Sequence, residues 1–322
     1  MIKSIIQRRR IIMIFHEDYR KILETASVSD IEQNKRTEEN VKVIEFPVNM
    51  VLDLRNRIVP TIGVRKTHPK SAAAEIAWFL QGTQDPSFIQ KHAPFWDKFV
   101  ETVNVDGQEK EVIKSAYGYR WRNHFGRDQI TEAIEALKTD PTNRRVYISS
   151  WDAEEDGLLS QDQLNVPCPV GFNLTIVKGR LNSSVTLRSS DLFVGLPYDV
   201  MGHAYLMDAI ATTLNVELGF MGVSLNHAHL YEAHWEHTLT ALNQGVIVPQ
   251  MKLPGKSIEQ ILENPDKYVL DIKEESKLHQ WPTFNPKPHV VSVKKDNKDI
   301  VDFLSKLNMP DGNSKQKRKP SI

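Results

Sequence analysis

Asn165–Asp199 reads NVPCPVGFNLTIVKGRLNSSVTLRSSDLFVGLPYD, and the rest of the chain is understood through it. It holds the single cysteine, Cys168, between two prolines that fix the backbone on either side. Two alternating apolar runs, 172–177 and 181–187, meet at Lys178-Gly179-Arg180 and predict a β-hairpin. The second strand delivers Arg188-Ser189-Ser190-Asp191, then a Gly-Leu-Pro turn and Asp199 at the head of a helix. A thiol, an anion clamp and a carboxylate this close together point to covalent catalysis on a small phosphorylated substrate. Read alone, the stretch leaves plainer roles open: a lone cysteine is a common core residue, and Asp199 is a good helix N-cap.

The 322 residues are 40% hydrophobic and 25% charged, an ordinary globular balance that one large domain can carry. Basic and acidic residues number 41 each, so net charge points to neither nucleic acid nor a membrane surface. An anionic substrate must then be held by a local arginine cluster. One cysteine excludes an intrachain disulfide and fits a reducing cytoplasm. No run approaches the roughly 18 apolar residues that span a bilayer. The opening MIKSIIQRRRIIMIF lacks the continuous apolar region and cleavage site of a signal peptide. Residues 1–12 read as an N-terminal extension, with Met13 as an alternative start.

Working outward, residues 15–26 predict an amphipathic helix, 41–46 and 50–54 strands, and 71–81 an alanine-rich helix ending before Gly82. Glu75 lies in that last helix, where Ala72, Ala73, Ile76, Trp78 and Phe79 leave little polar face for it. A carboxyl in such surroundings has a raised pKa and suits general acid–base work. A helix over 128–137 and a strand over 146–150 flank Asn143-Arg144-Arg145, whose paired arginines would ordinarily mark a solvated edge. Residues 200–214 predict a long helix and 219–225 a strand leading into Asn226-His227-Ala228-His229-Leu230-Tyr231. The histidines at 227, 229, 234 and 237 lack the spacing of a zinc motif, so no metal is expected. A short helix near 258–262, a strand and loop over 278–291, a helix over 299–307 and the basic tail GNSKQKRKPSI complete the chain.

Pro167-Cys168, Arg188-Ser189-x-Asp191 and Gly195-Leu196-Pro197-Tyr198 resemble the core of the thymidylate synthase superfamily. So do Glu75-x-x-Trp-Phe-Leu-x-Gly82 and Tyr117-Gly-x-x-Trp-Arg122. The resemblance covers roughly residues 15–293 and implies an α+β fold, a large twisted mixed β-sheet flanked by helices and dimerising through the sheet. It divides the chain into the extension 1–12, a catalytic domain over 13–293 and a C-terminal extension over 294–322 with a basic, disordered tail. It also implies roles. Cys168 is the nucleophile; Glu75 and Tyr117 handle protons, Glu75 also facing the folate. Arg36, Arg188 and Ser189 hold the nucleotide phosphate, joined by Arg144 and Arg145 from the second subunit of a homodimer. His229 and Tyr231 bind the sugar, while Trp96 and Asp191 line the pocket of the cosubstrate 5,10-methylenetetrahydrofolate.

The departure is at position 199. Synthases carry asparagine there, and an aspartate is similar to the phage deoxycytidylate hydroxymethylases. Cytosine presents an N4 donor and an N3 acceptor, which a carboxyl matches, whereas a carboxylate against uracil O4 opposes two acceptors at a cost of roughly 1–3 kcal/mol. The expected reaction is 5-hydroxymethylation of a cytidine monophosphate, most of all dCMP. Reductive methylation of dCMP or dUMP, hydroxymethylation of CMP, and a catalytically silent nucleotide- or RNA-binding member are the alternatives. Trp96 as a water-excluding indole favours methylation. Pro169 in place of the usual histidine, Leu187 in place of glutamine and the changed C-terminus favour the hydroxymethylases.

Overall fold

The computed structural model describes residues 15–34, 37–105, 107–157 and 165–289. Its strands are β1 (Ile31–Gln33), β2 (Asn40–Val43), β3 (Val48–Asp53), β4 (Glu101–Val105), β5 (Gln108–Val112), β6 (Tyr147–Ser149), β7 (Pro169–Val177), β8 (Arg180–Leu187), β9 (Ser190–Asp191), β10 (Glu217–Leu225) and β11 (Ala228–Tyr231). Its helices are α1 (Phe15–Ser27), α2 (Pro69–Gln81), α3 (Ser87–His92), α4 (Tyr117–Tyr119), α5 (Gln129–Thr139), α6 (Gly195–Leu214), α7 (Trp235–Leu242), α8 (Ile258–Glu263) and α9 (Pro265–Ser276). The expected mixed α/β architecture is what forms.

One sheet runs β3-β10-β8-β7-β6, antiparallel except for the parallel pair β10–β8. A second runs β1-β2-β11-β9. The two join where β8 passes into β9 and β10 into β11: Asn226 N–H donates to Leu187 C=O, and Ser190 N–H to His227 C=O. The β7–β8 hairpin is the one the alternating pattern predicts. Lys178 and Gly179 both take positive φ, 53° and 71°, the two-residue turn that matches the strands' own twist.

Two helices build the core. In α2, Ala72 to Leu80 are all buried, so the helix has no solvent face, as its run of small and apolar residues requires. Helix α6 is buried from Val200 to Ala211 and lies against β8 and β10. Helix α2 packs on both α6 and α9. Among the described residues, the opposite face of the five-stranded sheet carries no helix. There Val51, Gly222, Ser184, Asn173 and Tyr147 form one directly paired row across all five strands.

Two expectations need correction. Helix α6 starts at Gly195, so Asp199 stands in its second turn and is not its N-cap. The turn that leads into α6 is held by Asp191, whose Oδ1 accepts from the N–H groups of Phe193 and Val194. Residues 281–289 contain no strand and run as an irregular segment over the core. The readings of residues 1–12, of the 299–307 helix and of the basic tail fall outside the described residues.

Candidate active site

A cavity of about 410 Å³ opens between α2, α6 and the segment before β7. Glu75 and Phe79 enter it from α2, Trp96 from the turn Pro94–Phe99, Tyr117 from α4, Cys168 from the strand entrance and Asp199 from α6. The sequence spreads these residues over more than a hundred positions; the packing of α4 on α2 and of α2 on α6 collects them. Gly118 makes the α2–α4 approach feasible, since a Cβ there would lie 2.0 Å from Phe79 C=O.

The electrostatics follow from burial. Glu75 is 8% exposed, and its carboxyl is pushed up to about 8, chiefly by desolvation. The Asp199 charge adds to the shift, while the Trp96 indole, donating from Nε1 to Glu75 Oε1 at 3.1 Å, opposes it. Asp199 opens onto the cavity, yet lies deep enough for desolvation to dominate; its carboxyl rises to about 7, with Asp191 adding charge repulsion. Tyr117 is raised well above the usual phenol range by burial, then by the neighbouring Cys168 and Asp199. Two carboxyls therefore keep protons near neutrality within reach of a thiol, an arrangement able to move protons during addition to a conjugated ring.

The remaining expected contacts form a second group beside the cavity. Arg188 N–H donates to Cys168 C=O at 2.8 Å, so hairpin pairing brings the two residues together. The Arg188 guanidinium points to the carbonyls of Pro167 and Val166 and lies over the Trp151 ring. Ser189 is next to it, and His229 and Tyr231 meet ring to ring at 4.8 Å on β11. Burial lowers the His229 pKa to about 4, which keeps its imidazole neutral. Asp191 is committed to the turn before α6 and to electrostatic attraction with His234, and does not line the cavity. Arg144 and Arg145 are exposed beside the β6 edge of the sheet and also stand apart from it. Arg36 lies outside the described residues.

Sequence reasoning missed two parts of the site. His203, one turn after Asp199, lines the cavity; an i, i+4 count from Asp199 would have found it. Asn285, Pro286 and Pro288 of the C-terminal segment form another wall. That segment is fastened where Lys66 N–H donates to Phe284 C=O at 2.7 Å and His289 N–H donates to His234 Nε2 at 3.1 Å. His234 thus acquires a role as an anchor, and together with His237 it stacks on Phe193.

Elsewhere, a wider recess of about 850 Å³ between residues 251–256 and α9 collects mainly lysines, carboxylates and amides at the surface. Among the described residues, His124, Asp152 and Glu155 come close enough to share a cation. The fully buried Arg120 already supplies it, with Nη1 2.6 Å from His124 Nε2 and Nη2 2.9 Å from Glu155. No helix among the described residues is long and apolar enough to cross a membrane. Comparison with known families gives one match: the model described as Thymidylate synthase covers residues 14–274.

Proposed function

The chain belongs to the thymidylate synthase family, whose members transfer one carbon from methylenetetrahydrofolate to a pyrimidine nucleotide, and we propose that its nucleotide is a cytidine monophosphate, dCMP foremost, converted to the 5-hydroxymethyl product. The observation that carries this reading is Asp199 on the wall of the cavity that holds Cys168. Ionised, it sets an acceptor against uracil O4. Protonated, it donates to cytosine N3 and accepts from the N4 amino group.

The chemistry proceeds from the thiol. A pyrimidine C5 is too weak a nucleophile unaided; the Cys168 thiolate adds to C6 and makes C5 an enamine carbon. The Arg188 guanidinium, held at the Pro167 and Val166 carbonyls just before the cysteine, favours the thiolate. Asp199 supplies the proton that N3 needs as charge builds on the ring. Glu75 and Tyr117 carry protons to and from the C5 side, their raised pKa values keeping protons available there. C5 would then bond to the folate's one-carbon unit; loss of the C5 proton with departure of tetrahydrofolate leaves an exocyclic methylene, to which water adds before the thiolate leaves C6 and the aromatic ring is restored.

The folate supplies the carbon at the oxidation level of formaldehyde. The residues present fit such a group: Trp96, Phe95, Phe99, Pro286 and Pro288 give the cavity an apolar wall for a pterin, and Arg65 and Lys66 offer cationic partners for carboxylates. Trp96 is also 4% exposed and makes ring contacts with Trp78, Phe79 and Phe99. That dry wall favours the second reading, reductive methylation by hydride.

A homodimer is part of the proposal. The uncovered sheet face mixes small residues, Gly222 and Ser184, with the exposed apolar side chains of Val51 and Tyr147, a surface suited to sheet-on-sheet packing, and Arg144 and Arg145 project beside it, where they could reach a second subunit's phosphate. The test offers dCMP, CMP and dUMP with methylenetetrahydrofolate and follows tritium release from C5 together with dihydrofolate absorbance. Tritium release from dCMP without dihydrofolate is expected. Dihydrofolate formation would refute hydroxymethylation, and turnover of dUMP alone would refute the reading of Asp199.

A further inference from the structure

His203 sits on α6 one turn beyond Asp199, so both side chains leave the same face of the helix and both line the cavity. Its ring is 6% exposed and held by edge contacts to Trp121 and Phe172. Nδ1 lies 2.8 Å from the Asp199 carbonyl. A carbonyl only accepts, so Nδ1 carries the hydrogen and Nε2 is left with a lone pair. That Nε2 is buried and has no hydrogen-bond partner among the described residues. Burial drives the ring pKa down to about 4, so the imidazole stays neutral and Nε2 stays an acceptor.

An acceptor of this kind solves a problem that Asp199 alone leaves. A protonated carboxyl can carry its hydrogen on either oxygen, and in one of the two forms it satisfies uracil as well as cytosine. Asp199 holds a proton up to about pH 7, so it discriminates only in part. The His203 tautomer is pinned by the backbone and cannot switch.

We propose that His203 Nε2 accepts a hydrogen bond from the exocyclic amino group of a 4-aminopyrimidine nucleotide and is, with Asp199, the second reader of the base. This rests on the cytidylate reading above. An amino group has two hydrogens; Asp199 takes one and His203 the other. A 4-oxo group would bring a third acceptor to the same place and leave Nε2 without a donor.

The experiment measures equilibrium binding of dCMP and dUMP to wild type, His203→Phe and His203→Gln, with thermal melting of each. Phenylalanine keeps the packing and removes the acceptor; glutamine returns a side-chain carbonyl near the position of Nε2. H203F should lose roughly 5- to 100-fold in dCMP affinity, the range for an unpaired buried polar contact, with dUMP affinity unchanged or improved. H203Q should recover part of the dCMP:dUMP preference. An unchanged preference in H203F overturns the proposal, as does an equal loss for both nucleotides in both variants, which would mark a packing role. A wild type that prefers dUMP would instead sink the cytidylate reading itself, so the two failures are distinct.

Discussion

As pH rises, Asp199 loses its proton near 7 and Glu75 near 8, whereas in the unfolded chain both would ionise close to their ordinary values of 3.8 and 4.5. A carboxyl raised by folding gives its full contribution to stability below the ordinary value and loses it as pH climbs through the folded one. Thermal stability should therefore decline between about pH 5 and about pH 9, and Glu75→Gln should flatten that decline. A slope unchanged in the variant would mean that Glu75 ionises normally. The same substitution should reduce turnover by about 10²- to 10⁴-fold and remove the limb of the rate profile near pH 8. Cys168→Ala should abolish C5 tritium release while leaving nucleotide binding in place; residual turnover would end the covalent mechanism. Residue identities were legible in the sequence wherever chemistry restricts the choice: a thiol between prolines, a carboxylate inside an apolar helix. Asp191 was not. Its side chain is committed to the turn before α6, and no residue type announces whether an aspartate will serve a backbone or a ligand.

At the scale of elements, periodicity identified the β7–β8 hairpin and helices α1, α2 and α5 to within a few residues, because each has one clear pattern and a turn or cap to end it. The start of α6 was misplaced because Gly195-Leu196-Pro197 reads as a turn, and proline is equally at home in a first helical turn. The C-terminal wall was illegible: its place is fixed by backbone bonds to His234 and Lys66, which are distant in sequence. His234→Ala should release that wall and weaken folate binding by several-fold, about the worth of one buried hydrogen bond, with nucleotide affinity kept. Equal weakening of both ligands would count against it. Gly118→Ala forces a methyl group into the Phe79 backbone. It should cost about 1–3 kcal/mol or more, read as a lowered melting temperature, and displace Tyr117 from the cavity.

For the whole molecule, the row Val51, Gly222, Ser184, Asn173 and Tyr147 lies on the face of the sheet that no helix covers. Ser184→Arg at its centre should yield an inactive monomer by sedimentation; an active monomer would remove the need for a second subunit. Arg145→Ala and Cys168→Ala, each inactive alone, should regain activity when mixed and refolded together, because a mixed dimer can assemble one complete site. No recovery would place both residues in the same subunit's site. A last consequence comes from the backbone hydrogen bond that Arg188 N–H donates to Cys168 C=O. It makes the hairpin a calliper, with sulfur on one jaw and guanidinium on the other, the roots of both jaws set by backbone geometry and only the reach of the arginine side chain left to adjust. With Arg188 gripping a phosphate, such an instrument would measure the span from base to phosphate. It should pass 5′-monophosphates and refuse 3′-monophosphates of the same base, however well either end fits by itself.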